Sequence, residues 1–468
     1  MTRIVVVGAG MAGLSTALTL HRNNIAVDVL EASGRVGGKV LTTEIAGTQV
    51  DAGADAFLVR EAHVTDLCDQ LHLTPDLVAP ATGAAKIWYR GALRPLPRKQ
   101  YLGVPLDLDE LESSELLTPE GRERAAQDLR APADAPAEDE SVGALIRRRL
   151  GDEVMDQLVG PLLGGINAGD GDQLSLQAGV PQLAAAAAHD ESLLRSIPAH
   201  LASLDRDPDA PIFLTHPRGV GQIIDAMADH LRSRIHLEQP VQSLEPADSG
   251  WIIEAKDTFE ADAVVLAAPA FASAAILAAI APESASMLAS IHYASVVMVT
   301  FAFASAEMPE LTGSGFLIPR HEGLLMTACS QTSTKWAHLG DRPTTFLRVS
   351  AGHSADDRAM RMSDEEITEQ LLTELSWTTG IHAEPREIRI TRWPSSLPQY
   401  QPGHLDRVSE IERTLAAEAP GVFVTGAAFR GLGLPACVHQ GRVAAATAAD
   451  HCGVARPEPT GPGFTPQR

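Results

Sequence analysis

The chain has 468 residues, 45% of them apolar, enough to bury more than one core and to lead us to expect two or three domains. Its formal net charge of −23 excludes attraction to nucleic acid or to an anionic membrane surface, so any site for an anion must be built from local cations. Cys68, Cys329, Cys437 and Cys452 stand far apart, with no spacing that suggests zinc or a disulfide framework, as expected of a reduced, cytoplasmic compartment.

The chain runs from Thr2 and Arg3 straight into "IVVVGAG", so no secretory leader is expected. "RIVVVG" reads as a short buried strand, and Met11 to Arg22 as a helix with Leu14, Ala17, Leu18 and His21 at helical spacing. "AVDVLE" reads as a second strand. The turn between the first strand and the helix is Gly8-Ala9-Gly10-Met11-Ala12-Gly13. Gly8 permits the tight turn, Gly10 lets the backbone approach a pyrophosphate, and Gly13 lets the helix pack on the strand. The helix N-terminus offers unpaired N–H groups to the phosphates. This GxGxxG pattern is weak alone. Its strand–turn–helix setting, with Glu31 ending the second strand, makes it a dinucleotide site. Glu31 can accept hydrogen bonds from ribose hydroxyls and repels a 2′-phosphate, which argues against NADP.

"EASGRVGGKV" follows, from Glu31 and Ala32 through Arg35, Gly37, Gly38 and Lys39. Asp51 to Phe57, containing Gly53, Ala54, Asp55 and Ala56, reads as a loop before a helix that runs through Leu71. From about Arg94 to Pro211 strand patterns vanish and helical ones dominate, interrupted at Arg130 to Glu140 by an acidic, Pro/Ala-rich link. Ile212 to Leu231 resumes a strand–loop–helix pattern, and Ile235 to Ala268 reads as strands, one of them holding Val241. Ala263 to Pro282 carries no formal charge and is long enough for a membrane span. Because much of it is Ala and Pro269 divides it, we expect a buried strand and then a short helix. Tyr293 to Arg392 alternates β-rich runs with a helix near Asp364 to Thr379. "GVFVTGA" is another apolar strand, followed by a Gly-rich turn and a helix from about Pro435 to His451. The Pro/Gly-rich tail from Gly453 is expected to be disordered.

These patterns predict an α/β (α+β) fold. A Rossmann-like nucleotide-binding domain would be discontinuous, assembled from 1–90, 211–290 and 393–452. A helical insertion over 91–210 and a β-rich substrate domain over 291–392 would complete it, with a tail over 453–468.

The ExxxRxGG extension resembles that of the amine oxidase, carotene desaturase and porphyrinogen oxidase flavoproteins. The segments "GALRPLP", "YLGVP", "VGPLLGGINAGD", "LSLQAGVPQL", "SGFLIPR", "TRWPSSLPQYQPGH" and "GAAFRGLGLPAC" narrow this. Together they resemble bacterial coproporphyrinogen III and protoporphyrinogen oxidases, over roughly residues 1 to 450. The resemblance implies FAD, held non-covalently. It places Arg35 and Lys39 as charge beside the phosphates, Gly37 and Gly38 close to the cofactor, and Gly53, Ala54, Asp55 and Ala56 against the isoalloxazine ring. It also implies a backbone contact from Val241 to the adenine, and Trp393 near the flavin. Gly426 and Ala427 would lie at the flavin, with Leu434, Pro435, Ala436, Cys437 and Val438 giving backbone contacts. There a helix N-terminus would stabilise a reduced, anionic flavin. The family usually has an aromatic residue where this chain has Asn167, and often Tyr where it has Phe429.

The substrate implied is a flat macrocycle, with a cavity lined by Leu162, Leu163, Ile166, Asn167 and Phe316. Removing six electrons takes three rounds, each expected to move hydride from a meso carbon to flavin N5 while a pyrrole proton leaves. O2 would reoxidise the flavin, giving hydrogen peroxide. No side-chain base is nominated. Arg90, Arg94, Arg98 and Lys99 form either a carboxylate dock or a solvated basic loop. Arg60 is a carboxylate ligand or a surface ion pair, and His404 and Arg407 bind a carboxylate or sit on a solvated face. Coproporphyrinogen III, the more water-soluble tetra-acid, is the favoured substrate, and protoporphyrinogen IX the alternative. An amine oxidase or desaturase on the same scaffold, or a non-catalytic carrier, remain further readings. A ferrochelatase would be the natural recipient of the product.

Overall fold

The structure is a computed structural model that describes residues 2–130, 139–188, 192–203 and 210–455. Most of the acidic link and nearly all of the C-terminal tail lie outside those residues.

Five parallel strands form one sheet, in the order Ile235–His236, Ala26–Leu30, Arg3–Val7, Ala263–Leu266, Val422–Val424. Three distant stretches of chain therefore build it. Its central strands are almost wholly apolar because both faces are covered, with Arg3 at a strand end and Asp28, which His236 meets at 3.0 Å, as the polar positions. Ile4, Val6, Ala263 and Val265 point into one core, with the helices Met11–Arg22 and Leu434–His451. Val5, Val7, Val264 and Leu266 point into another, with the helices Ala270–Leu277 and His404–Glu418. The two helices of the first face lie in close contact. Thr16 Oγ1 donates to the Gly441 carbonyl at 3.0 Å, and a Cβ on Gly441 would sit 2.4 Å from the Ala12 carbonyl oxygen.

A second sheet has seven strands, in the order Glu387–Pro398, Tyr293–Ala304, Thr344–Ala351, Met326–Ser330, Gly315–Leu317, Ala85–Tyr89, Ala92–Pro95. One face packs on the helix Asp364–Thr379 through Ile367, Leu371 and Leu375. That helix opens on a Ser363/Glu366 capping box and stops at Gly380, whose φ is 72°. The sheet takes in residues on both sides of 291–392, including the early hairpin 85–95. The helical reading from Arg94 onward is thus corrected at its start. Ala92–Pro95 is a strand, and Gln100–Tyr101 pairs with Val104–Pro105 before the helices begin at Leu108. Those strands are too short for a period-2 pattern to show.

The helices between Leu108 and Ser203 share a third core around Leu111, Leu145, Leu158 and Leu183. The uncharged run from Ala263 forms the strand Ala263–Leu266 and then the helix Ala270–Leu277. Among the described residues no helix is long and apolar enough to cross a membrane.

Candidate active site

The glycine turn closes the first strand of the parallel sheet. Gly8 adopts φ 107° and donates its N–H to Leu30 O at 2.8 Å. A Cβ on Gly13 would lie 1.9 Å from Gly8 O, whereas one on Gly10 would meet nothing within 4 Å. The space over Gly10 is therefore open to a ligand at the N-terminus of the helix Met11–Arg22. The RxGGK loop lies against this turn, with Gly37 donating to Ala9 O at 2.8 Å. The Arg35 guanidinium donates to Val36 O at 3.0 Å and Gly38 O at 2.5 Å, so its charge folds its own loop. Glu31 accepts from Ala9 N–H at 2.9 Å and from Ser33, and its neighbour Ala32 is exposed. Val241 sits in the loop between Ile235–His236 and Ser243–Pro246 rather than in a strand. Its backbone N–H and C=O carry no hydrogen bond among the described residues.

The loop 51–56 is held from the β-rich side. Arg348, on the strand Thr344–Ala351, donates from one nitrogen to Asp51 O (3.0 Å) and Gly53 O (3.1 Å). Trp393 Nε1 donates to Ala52 O at 2.9 Å. The Asp55 carboxylate meets Lys335 Nζ at 2.8 Å and Arg348 at 3.2 Å. Burial pushes Asp55 up, but Arg348 and Lys335 outweigh it and hold the carboxyl well below its usual range. Asp51 goes the other way. Burial raises it to about 6, against hydrogen bonds from Thr42 and the Val220 N–H.

The C-terminal turn reaches the same place. Gly426 has φ 116°, and a Cβ there would lie 3.8 Å from the Ala12 Cβ. Tyr400 bridges the turn, donating to Ala427 O at 2.5 Å and accepting from Gly431 N–H at 3.0 Å. Leu434, Pro435 and Ala436 form the first turn of the last helix, and Val438 is buried in the core behind it. Lys39 lies between the two turns. Its backbone oxygen would be 2.6 Å from a Cβ on Gly53, and its ammonium sits over the Tyr293 ring at 5.3 Å. Burial lowers it to about 8, opposed by the Cys437 thiol, and among the described residues it has no carboxylate partner. Burial in turn pushes Cys437 up to about 12. Glycine turn, RxGGK loop, loop 51–56 and C-terminal turn thus lie against one another.

The substrate-facing expectations divide. Ile166 is 55% exposed on the helix Gly160–Asn167, and Leu162 is half-buried, but Leu163 belongs to the helical core. A Cβ on Gly165 would touch Leu317 at 3.0 Å, so this helix faces the sheet through Leu317. Phe316 is a correction. It is 2% exposed and points to the opposite face, into the core with Phe301. Side chains alternate along a strand, and this three-residue strand is too short for the parity to be read from sequence. Asn167 is buried and caps its own turn, accepting from Gly169 N–H at 2.8 Å. The basic run is neutralised locally. Arg94 pairs with Glu115, Arg98 with Glu110 at 3.4 Å and Lys99 with Asp107 at 2.8 Å. Arg90 stacks on Tyr89 at 4.9 Å, and exposed Arg60 lies 3.9 Å from Glu61. A solvated basic loop describes them better than a dock. His404 is corrected as well. It is fully buried, stacks on Tyr400 at 4.1 Å and donates to Phe429 O at 2.8 Å, while Arg407 is half-buried.

A family profile described as flavin containing amine oxidoreductase matches residues 11–449. The chain is 33% identical to the coproporphyrinogen III oxidase of Bacillus subtilis over 459 residues, covering 95% of this chain and 97% of that one. It is 26% identical to the chloroplastic protoporphyrinogen oxidase of Oryza sativa, covering 96% and 88%. A crystal structure from Exiguobacterium sp. 255-15 superposes with a TM-score of 0.86 at 31% identity, covering 95% and 98%. These features suit a flavin nucleotide: open space over Gly10 and, among the described residues, unpaired backbone groups at Val241 and a half-buried Lys39 ammonium with no carboxylate partner. The chain therefore belongs to the flavin-containing amine oxidoreductases, and within them to the FAD-dependent family of the bacterial coproporphyrinogen III oxidases.

Proposed function

We propose that this protein is a cytoplasmic coproporphyrinogen III oxidase that uses FAD and O2, yields coproporphyrin III and hydrogen peroxide, and hands its product to a ferrochelatase. One observation carries the reading most: the N-terminal and C-terminal glycine turns meet, with Lys39 between them. Bound FAD supplies two-electron oxidation, used three times per porphyrin. The turn at Gly8–Gly13 would hold the pyrophosphate, Glu31 the ribose and the free backbone of Val241 the adenine. The loop 51–56, Trp393 and the residues Gly426, Ala427 and Leu434–Val438 would surround the ring. Ile166 and Leu162 give the macrocycle an apolar wall.

Lys39 gives a test with two opposite signs. Partly desolvating an ammonium that has no carboxylate partner among the described residues costs stability, so Lys39→Met is expected to make the apoprotein more stable near pH 7. The pKa is lowered on folding, to about 8. The cost is therefore full below that value and fades as the pH rises toward the unfolded value of about 10.4. The same change is expected to weaken FAD binding by about tenfold or more, the loss of about 1.4 kcal/mol of charge pairing. Thermal melts of apoprotein and a flavin titration measure the two separately.

The reading as a whole is tested by turnover on the four-propionate and two-propionate porphyrinogens side by side. Fluorescent product and peroxide from coproporphyrinogen III, at a kcat/KM at least about tenfold above protoporphyrinogen IX, supports it. Preference for protoporphyrinogen IX would reassign the substrate, and inertness toward both would discard the reading.

A further inference from the structure

The loop 51–56 has its carbonyl groups tied to one side. The oxygens of Asp51 and Gly53 accept from Arg348, and that of Ala52 accepts from Trp393. In a planar trans peptide the N–H points opposite to its own C=O. The N–H of Gly53 therefore points away from Trp393 and that of Ala54 away from Arg348. Neither has an acceptor within the chain among the described residues, and both residues are only half-buried. The N–H of Ala52, the third peptide of the set, is already taken by Leu41 O at 2.8 Å. Arg348 itself is 8% exposed and is fixed by Asp55, which Lys335 shares. Its planar fork can serve two carbonyls and a carboxylate at once, which a lysine ammonium in its place cannot do with the same geometry.

We infer that Arg348 is a positioning residue for the oxidation: by holding the carbonyls of Asp51 and Gly53 it aims the free N–H groups of Gly53 and Ala54 at the flavin ring. The guanidinium also polarises the peptide between Gly53 and Ala54, strengthening its N–H as a donor. Donors fixed before reaction favour the form of the ring that carries more negative charge. Asp55 and Lys335 are the support that keeps Arg348 in place. This inference rests on the flavin-site reading given above.

The test is Arg348→Lys in the full-length holoenzyme, with the flavin reduction potential, visible absorption and circular dichroism, and steady-state kinetics as readouts. FAD is expected to remain bound with an altered visible spectrum and a more negative potential. The kcat is expected to fall about tenfold at unchanged KM. Amide hydrogen exchange across 51–56 in the apoprotein is expected to be faster than in wild type. Should Arg348→Lys fail to fold, Trp393→Phe removes the bond to Ala52 O, together with the part of the ring near Gly53, and is expected to shift the potential in the same direction by less. Full flavin occupancy with unchanged potential and spectrum, or an effect confined to KM, would overturn the inference. A wild-type protein unable to hold flavin would instead remove the site reading beneath it.

Discussion

Gly13→Val is expected to yield protein without bound flavin and destabilised by more than about 4 kcal/mol, among the largest effects a single substitution produces. A Cβ there would stand 1.9 Å from the Gly8 carbonyl oxygen and 3.2 Å from the Ala267 Cβ, so the obstacle is backbone that no side-chain rotation relieves. The helix Met11–Arg22 would have to lift off the turn, and it would carry its N-terminal N–H groups away from the proposed pyrophosphate position. Gly10→Ala separates the two consequences. Its Cβ would meet nothing within 4 Å in the protein, so apoprotein stability is expected to change by no more than about 0.5 kcal/mol. Flavin affinity should nonetheless fall by more than about tenfold, because the methyl group enters the space left for the phosphates. Flavin-to-protein absorbance ratio and chemical denaturation of the apoprotein read the two effects. An unimpaired flavin content in Gly10→Ala would show that the pyrophosphate lies elsewhere.

Asp55→Ala is the second large effect, expected at about 3–5 kcal/mol in urea unfolding. Removing one member of a buried ion cluster leaves the others charged and unpaired. Lys335 and Arg348 would both lose their carboxylate, at 2.8 and 3.2 Å in the wild type. Adding Lys335→Met to Asp55→Ala should recover about 1–2 kcal/mol, since one orphaned charge is then gone. The pH dependence follows from the shift. Asp55 is held below its ordinary value, so its contribution is complete above the unfolded pKa of about 3.9 and disappears as the pH falls through the lower folded value. Asp51, four residues away, has the opposite sign. Its folded value of about 6 means that the native state binds more protons between about pH 4 and pH 6, and stability declines as the pH rises through that window. Asp51→Asn is expected to flatten that decline. A variant that titrates like wild type would place the charge change on another group.

The nucleotide half of the site was legible because its determinants are local. GxGxxG, ExxxRxGG and the C-terminal glycine turn each encode a backbone shape within a few residues, and their spacing survives without any knowledge of the fold. The apolar strands around Val5, Val264 and Val422 were legible for a related reason, since burial on both faces leaves no polar position to blur them. The substrate half was not. The acids that neutralise Arg94, Arg98 and Lys99 lie on neighbouring turns, and nothing in the sequence says that a charge run is paired off rather than free. Phe316 and Leu317 differ only in strand parity, which a three-residue strand cannot reveal.

The sequence by itself determined that a dinucleotide is gripped, that the acidic carboxylate at position 31 closes the second strand, and which family shape the chain adopts. Each of those follows from short-range geometry. Only the tertiary structure decided that Arg348 holds the loop 51–56, across 297 and 295 positions of chain, and that Asp55 pairs with Lys335. It also decided that Lys39 is half-buried with no carboxylate partner among the described residues. Charge pairing and desolvation depend on which groups folding brings together, and linear spacing carries no record of that.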